Sequence, residues 1–271
     1  MIIKDKMREQ IEATSTLAQK YTCQLFYNLK RIGSGFFIQI DNEYFLISAA
    51  HVLELQFIEG MKFPNGKELV AINGHLLITM PPEGFSRTSD KIDFSVVKLN
   101  QETVDEVKKQ FEFLPADHIE IDHKPQEAPQ YLLFGYPNDW TTVIAEKEQI
   151  IPKPLIMRTK MIDIDTINLE SYEKGSKFAV EFDPLKFQSD DGDFQKKLPN
   201  PKGMSGSALW YIPFKKFVES GEVEIKLIGL VTDYHGGRDN VIAATSISVI
   251  TRAIRDKLKA NNKELKIKTN N

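Results

Sequence analysis

Apolar residues in this chain come mostly in short runs, divided by clusters of glycine, proline, asparagine and aspartate. Phe36-Phe37-Ile38-Gln39-Ile40, then Asp41-Asn42, then Tyr44-Phe45-Leu46-Ile47 predicts a β-hairpin, with aromatic and β-branched residues on both sides of a turn. Comparable runs follow at 70–72, 75–79, 94–99, 131–134, 142–145, 155–159, 178–182, 208–211, 225–232 and 241–245. Many short strands with turn punctuation predict an all-β barrel or sandwich.

Three stretches carry a different period. Over residues 4–20, Met7, Ile11, Thr14 and Leu17-Ala18 recur near 3.6 residues with charges on the other face, which predicts a helix. Thr103, Val104, Val107 and Phe111 form a second helical stripe, and Ile247, Ile250, Ile254 and Leu258 a third. Asn261-Asn262 is a plausible stop for the third helix, and the Lys- and Asn-rich end reads as a frayed tail. The polar stretch with Pro115, Pro125 and Pro129 reads as a connection between two β-rich halves. The expected organisation is an N-terminal helical extension (1–22), a first barrel (about 23–112), a linker (about 113–129), a second barrel (about 130–246), a C-terminal helix (about 247–260) and a flexible tail (261–271). No short repeat or low-complexity segment interrupts it.

Composition narrows the function. The 271 residues are 41% hydrophobic and 27% charged, with a formal net charge of −3. Such a balance lacks the basic footprint that phosphate tracking needs, so no nucleic-acid partner is expected. No apolar run approaches the roughly 20 residues that span a bilayer, so no membrane partner is expected. The single cysteine, Cys23, has no internal disulfide partner and cannot anchor a multi-cysteine zinc site. Together with an N-terminus that lacks the layout of a secretory signal, this predicts a reducing, cytoplasmic setting. No cofactor is expected, and no metal: His118 and His123 fall in the linker, and Ser189-Asp190-Asp191-Gly192-Asp193 lacks full calcium-loop spacing and reads as an acidic, solvated loop.

The chemistry concentrates in three places. Gly203-Met204-Ser205-Gly206-Ser207 puts a hydroxyl on a tight turn between glycines, followed by the apolar Ala208-Leu209-Trp210. The glycines open backbone conformations closed to other residues and leave room for a carbonyl to reach the N–H groups of Gly203 and Ser205. An ordinary Gly/Ser turn would look the same in isolation. The nucleophile elbow of α/β-hydrolases would need a helix after the serine, and here a strand pattern follows. Among five histidines, His51 stands at the end of an apolar strand, after Ala49-Ala50, where small neighbours let it turn toward a cleft; a hydrogen-bonded core histidine is the competing reading. Asp93 lies at the mouth of the run Phe94–Leu99, with Asp90 its near competitor. The order His, Asp, Ser differs from the subtilisin and α/β-hydrolase orders. It places base and carboxylate in the first half and nucleophile in the second, so the site would lie between two barrels.

These blocks resemble those of the trypsin-like (chymotrypsin-fold) serine peptidases, in particular bacterial members of the HtrA type, here without a PDZ domain. Gly33-Ser34-Gly35-Phe36 is similar to the family's Gly-Ser-Gly-Phe hairpin, Ser48-Ala49-Ala50-His51 to its Thr-Ala-Ala-His block, and Asp93-Phe94-Ser95-Val96-Val97-Lys98 to its Asp-Ile-Ala-Leu-Leu-Lys block. Gly135-Tyr136-Pro137 resembles a strand end early in the second barrel, and Gly203 to Ser207 the nucleophile block. Ile228–Thr232 and Ala243–Ile247 resemble the strands lining the primary specificity pocket. The resemblance implies two six-stranded antiparallel β-barrels with an added N-terminal helix and a C-terminal helix. It implies His51, Asp93 and Ser205 as catalytic residues, Gly203 and Ser205 N–H groups as the oxyanion hole, and Pro199, Thr232, Asp233, Tyr234 and Ala244 as substrate-binding positions. Two departures stand out. There is no Ile-Val-Gly-Gly-type activation segment, and Met204 stands where the family has aspartate or asparagine, with Ser207 where many members have glycine. Pro199, six positions before the serine, gives no support for an Arg/Lys preference; Asp233 is the remaining carboxylate near the pocket strand.

The expected activity is a serine endopeptidase acting on protein or peptide substrates. A catalytically silent or partner-activated protease-like interaction domain is the alternative. The N-terminal helix is the expected docking element for a regulatory partner or a second copy of the chain.

Overall fold

The computed structural model describes residues 2–54, 60–66, 68–126, 130–144, 149–164, 175–182, 200–213, 217, 219–236 and 240–268. A helix, α1 (Ile2–Tyr21), is followed at once by β1 (Thr22–Tyr27), and the long β2 (Lys30–Ile40) turns at Asp41-Asn42 into β3 (Glu43–Ala49). Both turn residues sit at positive φ, 50° and 64°, as the tight hairpin requires. Then come β4 (Met61–Asn65), β5 (Glu68–Ala71), β6 (Gly74–Ile78) and β7 (Phe94–Leu99). The helix α2 (Gln101–Val107) is capped by the Asn100 side chain, which accepts from the Thr103 N–H at 2.9 Å.

These strands form one antiparallel sheet in the order β5-β4-β1-β2-β3-β7-β6. Seven strand segments are present, yet β5 and β6 are consecutive in the chain, separated only by Ile72-Asn73. They act as one bent strand that pairs with β4 at one end and β7 at the other. The bend closes a six-stranded barrel. Backbone bonds continue through it, from Ile72 N to Met61 O (2.9 Å) and from Asn100 N to Asn73 O (3.1 Å).

The second sheet repeats the device. Its strands are β8 (Tyr131–Gly135), β11 (Leu155–Thr159), β12 (Met161–Ile162), β13 (Lys177–Glu181), β14 (Ala208–Tyr211), β15 (Lys226–His235) and β16 (Val241–Ser246), in the order β11-β8-β14-β15-β16-β13-β12. A small separate hairpin, β9 (Thr142–Ile144) and β10 (Gln149–Ile151), stands apart. Only Lys160 separates β11 from β12, and at this bend Glu181 N donates to Lys160 O (3.1 Å) while Thr159 Oγ1 donates to Glu181 O (2.6 Å). The expected pair of six-stranded antiparallel barrels is what the chain forms.

Strands with two buried faces explain why the apolar runs are continuous rather than alternating. On β2, Phe37 points into the first barrel with Leu25, Leu46 and Phe63, while Phe36, Ile38 and Ile40 point into a core shared by both barrels. On β8, Tyr131 and Leu133 fill the second barrel, and Leu132 and Phe134 join the shared core. Ala18 and Tyr21 of α1 enter that core too, with the Tyr21 ring 6.2 Å from that of Trp210. So do Ile247, Ile250 and Ile254 of α3 (Ile247–Lys268). That helix runs through Asn261-Asn262, where a stop was expected. The Lys, Glu and Leu residues that follow are good helix formers, and no glycine or proline interrupts them. The linker crosses the seam, bonded to β2 through Leu114 and to β15 through Glu120 N–Leu227 O (3.0 Å). Cys23 is enclosed in the first barrel, and burial pushes its thiol pKa well above the ordinary range.

Candidate active site

The ladder β3–β7 pairs Ala49 with Phe94, so the residues just beyond these strand ends meet across the sheet mouth. His51 follows Ala49-Ala50, and Asp93 precedes Phe94. Asp93 Oδ2 accepts from His51 Nδ1 at 2.7 Å, and Oδ1 accepts from the His51 backbone N–H at 3.0 Å. An ionised carboxylate only accepts, so Nδ1 carries the proton and Nε2 is left with its lone pair. Asp93 is itself held: its N–H donates to Asp90 Oδ1 (3.0 Å), its C=O accepts from Ala50 N (3.2 Å), and its φ of 46° is unusual for a residue with a Cβ. Asp90, the competing carboxylate, spends its oxygens on Thr79, Arg87, Ile92 and Asp93. It organises the turn, and Asp93 faces the imidazole.

The His51 side chain is 38% exposed and that of Asp93 only 5%. Burial pulls the His51 pKa down. The hydrogen bond and charge of Asp93, followed by the charges of Asp233 and Glu54, outweigh it, and the imidazole is raised above its ordinary value.

Ser205 sits on the loop before β14. Gly203 and Gly206 flank it at positive φ, 94° and 89°, and a Cβ on Gly206 would lie 1.8 Å from Ser34 O. No other residue fits that turn. Its backbone groups are almost fully committed. The carbonyls of Pro201, Lys202, Gly203, Met204 and Ser205 accept from Met204 N (2.8 Å), Asn138 N (2.8 Å), Arg31 Nη2 and Ser34 Oγ (both 3.0 Å), Ser207 N (2.9 Å) and Ser34 N (2.9 Å) in turn. Lys202 N donates to Asn200 Oδ1 (3.0 Å), and Gly206 N to Val231 O (2.8 Å). Among the described residues, the N–H groups of Gly203 and Ser205 alone on this turn have no acceptor. The Ser205 hydroxyl donates to Thr232 O at 3.2 Å, and its bond to His51 is not formed.

The expected substrate-binding positions divide. Thr232 is buried beside the serine, its carbonyl taken by Ser205 Oγ and its hydroxyl by Lys177 Nζ (2.6 Å). Asp233 lies next along β15, with Oδ2 3.5 Å from Lys177 Nζ. Tyr234 is 40% exposed and packs on Phe182 at 5.4 Å. Ala244 is fully buried among the side chains that fill the second barrel, so it shapes that interior and offers no open surface. Pro199 and the acidic stretch Ser189–Asp193 lie outside the described residues.

Two of the departures find local reasons. Met204 is buried in the core of the second barrel, as an apolar side chain there should be. Ser207 Oγ lies 1.9 Å from where a Cβ on Gly135 would be, so the serine just before β14 and the glycine that ends β8 are matched in size. His123, by contrast, is a structural histidine: it bonds Glu120 (2.6 Å) and Tyr131 (3.0 Å) and packs among aromatic rings. His118 pairs with Asp117. No cluster of metal ligands occurs among the described residues.

Sequence reading missed Lys177, Arg31 and Asn138. Lys177 has a fully buried side chain; burial lowers its pKa, opposed by the charges of Asp233, Asp93 and Asp90. It lies in the run 178–182 only as a flanking polar residue, and no local pattern marks it.

No protein-family model matches the chain, and no curated protein matches it. Solved structures do. The fold is similar to that of neuropsin, a serine protease expressed in the limbic system of mouse brain, with a TM-score of 0.55 and 11% identity over 89% of this chain and 95% of that one. It is similar also to the scabies mite inactivated protease paralogue S-I1, with a TM-score of 0.54 and 12% identity over 90% of this chain and 96% of that one. The chain has the chymotrypsin-like fold. At such identities the likeness is one of fold alone, and the chemistry rests on the residues.

Proposed function

We propose that the protein is a serine endopeptidase. What supports this reading is the His51–Asp93 pair at the mouth of the first barrel, the Ser205 turn, whose carbonyl accepts from Ser34 N of that same barrel, and the N–H groups of Gly203 and Ser205, which have no acceptor among the described residues. Ser205 Oγ would turn from the Thr232 carbonyl to His51 Nε2 when a peptide binds, since such bonds often tighten only with substrate in place. Oγ then attacks the scissile carbonyl carbon as Nε2 takes its proton, and the Gly203 and Ser205 N–H groups stabilise the oxyanion, typically by ~3–4 kcal/mol for a donor. Collapse breaks the C–N bond, and the imidazolium returns the proton to the leaving amine. Water, deprotonated by His51, releases the acyl group. Asp93 holds the tautomer throughout. A protein or peptide substrate in an intracellular, regulated setting, on the pattern of bacterial HtrA-type proteases, is the context this reading favours.

A second reading has its own observation. The hydroxyl bonds Thr232 O rather than His51, as it would in a silent or partner-activated domain, and one similar structure is of an inactivated protease paralogue. Labelling with a fluorophosphonate probe separates the two. Wild type should label at Ser205 and Ser205→Ala should not; equal labelling of both, or none of wild type under conditions where substrate is cut, removes the first reading.

A further inference from the structure

We propose that Arg31 and Asn138 are positioning residues that hold the oxyanion loop of the second barrel in its open-handed state, a role that rests on the reading of Ser205 as nucleophile. Arg31 belongs to β2, in the first barrel, and is 9% exposed. Its guanidinium crosses the seam. Nη2 donates to Gly203 O at 3.0 Å, and Nη1 donates to Asn138 Oδ1. The backbone N–H of the same asparagine donates to Lys202 O at 2.8 Å. Two successive peptide units are thereby fixed by one buried fork and one side chain.

The consequence follows from peptide geometry. In a trans peptide the N–H points opposite to the C=O. With Lys202 O drawn to Asn138, the Gly203 N–H is turned the other way and left without an acceptor among the described residues. Were that peptide to rotate, Lys202 O would take the place of the N–H and repel a developing oxyanion. Gly203, at φ 94°, has no Cβ to resist such a rotation, so an external clamp is needed.

The character of Arg31 fits a clamp better than a packing residue. A buried guanidinium is costly unless paired. No carboxylate pairs with Arg31 among the described residues; its neighbours are Asn138, the Gly203 carbonyl and Tyr136. Burial lowers its pKa to about 10, which still leaves it charged at neutral pH. A carbonyl dipole and an amide oxygen are what it holds, and both belong to the loop or its anchor. The loop thus takes its order from the opposite barrel, with Met204 inert in the core.

The test uses the full chain, with Arg31→Met, Arg31→Lys and Asn138→Ala. Arg31→Met should lower kcat about 100-fold with little change in KM, the loss seen when one oxyanion donor is removed. Its affinity for a peptide aldehyde, which forms an oxyanion on Ser205, should fall by a similar factor, while a non-covalent product peptide binds as before. Arg31→Lys should recover part of the loss, since it keeps the charge and loses the fork. Hydrogen exchange supplies a readout independent of activity: the Asn138 amide should exchange at least about tenfold faster in Arg31→Met, with the β2–β3 amides unchanged. Should Arg31→Met fail to fold, Asn138→Ala carries the same measurements with smaller effects. Unaltered aldehyde affinity, or unaltered Asn138 exchange, overturns the proposal. If wild type binds no aldehyde, the peptidase reading falls, and the exchange result still decides whether Arg31 holds the loop.

Discussion

The charge of Asp233 reaches the His51 imidazole from the opposite barrel, and with Glu54 and Asp93 it raises the pKa that governs the base. Only the neutral imidazole accepts the serine proton. As pH falls through this raised value, activity should be lost, so the acidic limb of kcat/KM is displaced upward from the position an unperturbed histidine would give it. Asp233→Asn removes one raising charge and should move that limb toward lower pH; a limb that stays put means the carboxylate does not act on His51. Lys177 interacts with two of these carboxylates, Asp233 and Asp93, so Lys177→Met should move the same limb upward. At this scale the sequence was legible where chemistry is written in consecutive residues. Ser205 between glycines and His51 after two alanines stand in recognisable blocks, and the preference for Asp93 over Asp90, read from its place at the strand mouth, gains its physical reason in the hydrogen bonds of the two carboxylates. Arg31, Asn138 and Lys177 act across long stretches of chain. Their partners are backbone carbonyls and residues of other strands, which leave no local trace.

Strands and helices were legible to the extent that they bury themselves in a regular pattern. The hairpin at Asp41-Asn42 and most strands after it lie where their apolar runs put them, because two buried faces make a run dense, whereas β4, β10 and β12 have no such run. The join of α1 to β1 was harder to read: Thr22–Tyr27 starts with no turn residue, so the periodicity changes without punctuation. The extension of α3 to Lys268 shows the reverse failure, since two asparagines are a weak stop without glycine or proline. The inner turns of α3 are anchored by Ile247, Ile250 and Ile254 in the shared core. Ile250→Ala should cost ~2–5 kcal/mol. A urea titration that shows a midpoint close to that of wild type would mean that the helix is only laid against the barrels.

Two barrels meet over one apolar core, and both terminal helices contribute to it. Helix α1 is therefore part of the body of the protein as well as a candidate docking element. Thr14 and Ala18 are fully buried, and Lys20 pairs with Glu112 at 2.9 Å. Deletion of residues 1–20 should lower the thermal midpoint by roughly 5–10 °C, the size expected for the loss of a few kcal/mol in a chain of this length. An unchanged midpoint would leave α1 to regulation or assembly alone. The lone cysteine turns this architecture into a clock. Cys23 is the second residue of β1, sealed inside the first barrel with its thiolate strongly disfavoured. A soluble alkylating reagent reaches it only when the barrel opens. With reagent in excess, the rate of modification counts openings, and at lower reagent it reports their equilibrium. One native thiol, without any engineered label, thus times the breathing of the barrel that carries His51, Asp93 and Arg31.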